Sequence, residues 1–183
     1  MRSLSLLSVV LLLAPLRQAA AGEVHEAAKA GDLVQLKTLL DKDPDLLYSQ
    51  DEQGKTPLHW ATGRGQLRAM ELLLDAYHAD VNVRNANGGT PLHVAASQAQ
   101  PEALKLLLQH GADVRARAKN GATPLHFAAL KRKPGHLAAA RLLLEAGADP
   151  GARMDNGATP LSMAVFRGNE KMAALLKRRG ARR

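Results

Sequence analysis

Histidine is the residue type that most invites a chemical reading of this chain. Seven are present, and His59, His93 and His126 occupy one position of a recurring motif. Imidazoles can ligate metal or move protons. Metal ligands must converge on one ion at roughly 2 Å each. Residues repeated once per stacked unit sit about 10 Å apart, so this row is expected to be structural. Three further patterns fall short of a site. His25-Glu26-Ala27-Ala28-Lys29 begins like a zincin helix, but Lys29 stands where the second ligand belongs. Gly54-Lys55-Thr56 ends like a phosphate-binding loop, yet Ser49 replaces its first glycine. Gly63-Arg64-Gly65 lacks the third glycine of a dinucleotide fingerprint. No serine has the Gly-x-Ser-x-Gly context. The chain has no cysteine, which excludes a thiolate zinc site, a cysteine nucleophile and a disulfide scaffold. No catalytic residue, metal ligand or cofactor is assigned, and an enzyme is not expected. His78, His110 and His136 are expected at the surface.

The histidine motif leads to the elements that carry it. Thr56-Pro57-Leu58-His59 returns as Thr90-Pro91-Leu92-His93 and Thr123-Pro124-Leu125-His126, then as Thr159-Pro160-Leu161-Ser162. The threonines are 34, 33 and 36 residues apart. Leu72-Leu73-Leu74, Leu106-Leu107-Leu108 and Leu142-Leu143-Leu144 keep the same beat, each leading to an Ala-Asp pair. Threonine is a good N-cap and proline fits the first helical position, so a helix should open at each Thr-Pro. Leu58, Ala61 and Thr62 then share one face, and small alanines there let helices approach closely. A break such as Gly63-Arg64-Gly65 comes next. A second helix carries Leu67, Met70, Leu73 and Leu74. Gly111, Gly147 and Gly180 suit left-handed C-terminal caps, and Asn120-Gly121 and Asn156-Gly157 suit tight turns. One helix pair cannot bury its apolar face alone, whereas stacked pairs can.

These motifs make the chain similar to ankyrin-repeat proteins over residues 22–183. The resemblance implies an all-α ankyrin-repeat solenoid. It would hold five helix-turn-helix repeats with projecting β-turn or hairpin loops, at about 22–54, 55–88, 89–121, 122–157 and 158–183. It also implies that each motif histidine joins its threonine in a structural hydrogen bond. The outer repeats have lost the motif, as water-facing caps would. The second repeat carries Tyr77-His78 where others have a lone glycine, and the fourth has extra residues around Lys131-Arg132-Lys133-Pro134.

The 183 residues suit one domain, with 46% hydrophobic but only 3% aromatic residues. A core of Leu, Ala, Val and Met favours helices. Arg2, the apolar run Leu4 to Leu16 and the small residues Ala19-Ala20-Ala21 have the layout of a secretory signal peptide. That run is shorter than the roughly 18 apolar residues a membrane span needs. Residues 1–21 are therefore expected to be cleaved off, leaving a periplasmic or secreted protein of the bacterial type.

The formal net charge is +8. Residues 22–88 hold 7 basic and 11 acidic side chains, and residues 89–183 hold 16 and 6. Such separation bears on partners rather than on fold. Ankyrin-like arrays typically bind proteins through projecting turns and the exposed ends of the first helices. By register, one turn position reads Gln50, Arg84, Arg117, Arg153, and one helix-end position reads Arg64, Gln98, Lys131, Arg167. With Lys119 and Arg132 they make a basic face, on which Leu130 and Phe166 could be apolar anchors. Trp60 shares its position with Val94, Phe127 and Met163 and is expected in the core between repeats. The function expected is a monomeric interaction module for a protein with an acidic surface. A binder of anionic lipid or polysaccharide is the alternative class, and an effector, inhibitor or immunity protein is the alternative role. Export and the lack of stacking aromatics argue against nucleic acid.

Overall fold

The computed structural model describes residues 6–181, with side chains from Gln18 onward. Arg2 and the apolar run to Leu16, on which the signal-peptide expectation rests, lie outside the residues whose side chains are described.

Ten α-helices make up five successive pairs, and no strand occurs among the described residues. The first helices of the pairs are α1 (Leu6–Ala30), α3 (Pro57–Arg64), α5 (Pro91–Gln98), α7 (Pro124–Ala129) and α9 (Pro160–Phe166). Their partners are α2 (Leu33–Lys42), α4 (Leu67–Glu71), α6 (Pro101–Gln109), α8 (Pro134–Glu145) and α10 (Glu170–Arg178). Each first helix packs on the next first helix, and each second helix on the next second helix. The result is two parallel rows, the arrangement of a solenoid.

Sequence explains the helix boundaries. Thr56, Thr90, Thr123 and Thr159 are the N-caps of α3, α5, α7 and α9, and each proline takes the first helical position. Alanines line the contact between the rows: Ala61, Ala95, Ala128 and Ala164 are all buried. Leu73, Leu107, Leu143 and Leu176 form the matching spine of the second row. The core is thus a continuous ribbon rather than a single centre.

The helix α3 runs on through Gly63 to Arg64, further than its Gly-Arg-Gly sequence suggests, and ends at left-handed Gly65. A Cβ on Gly63 would meet the Val94 side chain at 3.3 Å. The extra residue of the second unit is absorbed as a π-helical turn, Leu72–Ala76, closed by Tyr77 N–H on the Leu72 carbonyl at 3.3 Å. His78 then takes the left-handed conformation that Gly111 and Gly147 take elsewhere. The Tyr77 hydroxyl donates to Asp41, so the inserted residue ties the second unit to the first.

Candidate functional site

The motif histidines sit between units. In each of the three intact motifs, Nδ1 accepts the threonine backbone N–H: Thr56 to His59 at 3.3 Å, Thr90 to His93 at 3.1 Å and Thr123 to His126 at 3.1 Å. An accepting Nδ1 places the ring proton on Nε2. That Nε2–H reaches the next unit, donating to Gly89 O at 3.1 Å, Ala122 O at 3.1 Å and Ala158 O at 3.2 Å. Burial pushes His59 and His93 down to about 4, against the upward pull of those carbonyls, and lowers His126 as well. Neutral rings with both nitrogens engaged are cross-struts, not ligands. Among the described residues, no group of three His, Asp or Glu is placed to hold a metal ion.

His25 occupies the same register position in the first unit. Its Nε2 faces Ser49 O at 2.9 Å, a bond within the first unit rather than to the next one. In the last unit the histidine is Ser162, which closes a local cap with Thr159, its hydroxyl accepting Thr159 N–H at 2.9 Å.

Two of the three histidines expected at the surface are placed differently. His136 is fully buried, its Nε2 bonded to Ser97 O at 3.1 Å. The inserted segment before α8 turns this ring inward, where it anchors the fourth unit to the third. Burial lowers its pKa. His110 is half-buried and binds Asp75 at 2.8 Å, a bond that raises its pKa. His78 is exposed, as expected.

The four projecting turns are built alike and linked. Each closes through a backbone bond between its first and fourth residues, as from Gly54 N–H to Asp51 O and from Gly121 N–H to Ala118 O. One backbone bond then joins each turn to the next: Ala86 to Gln53 at 3.0 Å, Lys119 to Asn87 at 3.0 Å and Asp155 to Asn120 at 3.1 Å. Burial works to raise the pKa of Asp51, but the amides of Lys55 and Gln53 and the Trp60 N–H outweigh it and hold it below the usual carboxylate value.

The arginine column runs along this row and is largely part of its bracing. Arg84 donates to Gly88 O in its own turn and to Arg117 O in the next, at 2.9 and 2.7 Å. Arg117 donates to Arg153 O at 2.9 Å and lies 3.6 Å from Asp155. Both are exposed, but neither guanidinium is idle. Arg153 ends the column, exposed and with no side-chain partner among the described residues. Lys119 is exposed in the same way.

At the helix ends, Arg64 and Arg132 are also exposed without a side-chain partner among the described residues. Lys131 donates to Ser97 O at 3.1 Å, beside the His136 bond to that carbonyl. Leu130 is half-buried at the end of α7, a packing residue more than an anchor. Phe166 is 84% exposed, with the Arg167 guanidinium 5.8 Å from its ring centre. Trp60 packs half-buried against the core. Its N–H donates to Asp51 at 3.0 Å, and Lys29 and Lys55 lie 5.3 and 4.5 Å from its ring centre.

Sequence register could not separate bracing cations from free ones, because both are exposed arginines in turns. The buried strut of His136 had no motif to betray it.

Among the described residues, no helix is long and apolar enough to cross a membrane. The family model described as ankyrin repeats (3 copies) matches over residues 24–118, 62–154 and 115–182. No curated protein matches the chain.

Proposed function

This chain belongs to the ankyrin-repeat family, and on that premise we propose that it is a non-catalytic module, exported from the cell, that binds an acidic protein surface. The family consists generally of protein–protein interaction modules. The observation that carries the reading is the set of cations left over once the bracing ones are set aside. The side chains of Arg64, Lys119, Arg132 and Arg153 are exposed and have no partner among the described residues. They lie along two rows that the stacking makes continuous, the linked turns and the ends of the first helices. Cations held at fixed spacing on a rigid frame recruit an acidic partner and speed its encounter. Arg84, Arg117 and Lys131 contribute charge to the same face while holding it together.

On this reading the chain counts five repeats and loses residues 1–21 on export. The fully buried residues of the first unit begin at Val24, so among the described side chains cleavage after Ala21 would take only half-buried Ala20 and Ala21 from the packing against the core.

The test compares the chain with a Lys119→Glu, Arg132→Glu, Arg153→Glu variant. None of these side chains braces the fold, so circular dichroism should be unchanged. Each protein serves as bait in cell extract and is sedimented with anionic vesicles. A protein captured by the first bait and lost with the second supports the proposal. Equal capture by both baits, or vesicle binding without protein capture, contradicts it.

A further inference from the structure

Interior first helices turn one edge toward the next unit, and that edge is consumed by stacking. Its sixth residue after the N-cap threonine is Thr62, Ala96 or Ala129, each 0% exposed. Its seventh is Gly63, Ser97 or Leu130, each half-buried. What covers this edge is the residue four after the next threonine. Thus Val94 lies over Gly63, and Phe127 stands edge-on to the His93 ring with centroids 5.5 Å apart.

In the last unit nothing in the described chain covers that edge. Capping would put polar residues there, and the second row does so: Leu74, Leu108 and Leu144 give way to exposed Lys177. The first row does the opposite. The sixth position becomes Val165, 57% exposed, and the seventh becomes Phe166, 84% exposed. Both are at least as bulky as their interior counterparts and more apolar than most of them. Surrounding charge is strongly basic, with seven basic and one acidic residue in 158–183.

The first unit is the electrostatic complement. Residues 22–54 hold three basic and eight acidic residues. At the position that covers a preceding unit, where later repeats have Trp60, Val94, Phe127 and Met163, it has exposed Glu26, whose carboxylate accepts from Lys29 of the same helix at 2.9 Å. We propose that the α9 edge of one copy receives the α1 face of a second copy, so that chains stack head to tail. Val165 and Phe166 would lie under α1 of the incoming copy, with Arg167 opposite its Glu26. Two basic α9 ends would repel each other, which disfavours a symmetric dimer through that edge. Head-to-tail contacts do not close on themselves, so association should grow with concentration rather than stop at a dimer.

Sedimentation velocity on the purified full chain tests this without any partner, so its outcome is independent of the proposed function. At low salt the mass should rise with concentration beyond a dimer. Phe166→Asp should abolish the rise. Glu26→Arg and Arg167→Glu should each weaken association at least about tenfold, the loss of one close charge pair. An equal mixture of those two variants should restore it, because each new charge then meets its opposite. Circular dichroism checks that the variants remain folded. A chain that stays monomeric at all concentrations overturns the proposal. So does association that survives Phe166→Asp, or a mixture that fails to restore it.

Discussion

The interior units and the fifth unit share one plan and differ in whether, among the described residues, another unit is stacked beyond them. In units two to four, each motif histidine reaches a carbonyl of the following unit. In the fifth, Ser162 turns back on its own cap. Val165 lies exposed at a position occupied by buried alanine or threonine inside the array. Arg84 and Arg117 brace a neighbouring turn, whereas Arg153 has none to brace among the described residues. Among the described residues, a residue's role is set less by its type than by whether a further unit packs against it.

Acid should strike the interior hardest. His59 and His93 titrate near 4 in the folded chain, below the ordinary 6.5. The unfolded chain therefore takes up protons first as pH falls. Their stabilisation is complete above pH 6.5 and drains away between about 6.5 and 4, with His126 acting in the same direction. Between pH 7 and 4.5, denaturant titration should show a loss on the order of 2–3 kcal/mol for each of His59 and His93. His110 works oppositely: its raised pKa gives stability that is present at low pH and lost as pH rises through that value.

The next contrast exchanges the histidine and serine. His93→Ser leaves the buried Ala122 carbonyl without its donor and opens space, which should cost roughly 3 kcal/mol. Ser162→His has no following carbonyl to find among the described residues and should change stability by less than about 0.5 kcal/mol. Comparable costs at the two sites would break the distinction.

A volume exchange sharpens it. Ala129→Val forces a methyl pair into a closed contact, for roughly 1–3 kcal/mol of destabilisation. Val165→Ala removes the same atoms from an open edge and should stay within about 0.5 kcal/mol. Thermal or urea melts measure both.

The smallest effect separates the arginines. Arg84→Ala removes a bond between turns and should cost about 1 kcal/mol, and Arg153→Ala close to nothing by the same melts. Arg153→Ala should nevertheless weaken binding of the proposed acidic partner.

Much of this was legible in the sequence. Repeated Thr-Pro fixed the starts of α3, α5, α7 and α9, because capping chemistry is local. The Leu and Ala periodicity located the core of both rows, because burial follows helical spacing. Tyr77-His78 marked a local irregularity, though not its resolution as a π-helical turn. What stayed hidden depends on partners distant in sequence. His136 is 39 residues from the Ser97 carbonyl that holds it, and Arg84 is 33 from the Arg117 carbonyl it braces. No pattern within one repeat distinguishes such residues from solvated ones.

The histidine row is a set of neutral struts between units. Nitrogen-15 NMR of the imidazoles across a pH titration tests it most directly. His59, His93 and His126 should stay neutral with the proton on Nε2 as pH falls below 6.5, and His59 and His93 should hold to about 4. Titration of those three rings near 6.5, or protons found on Nδ1, would contradict it.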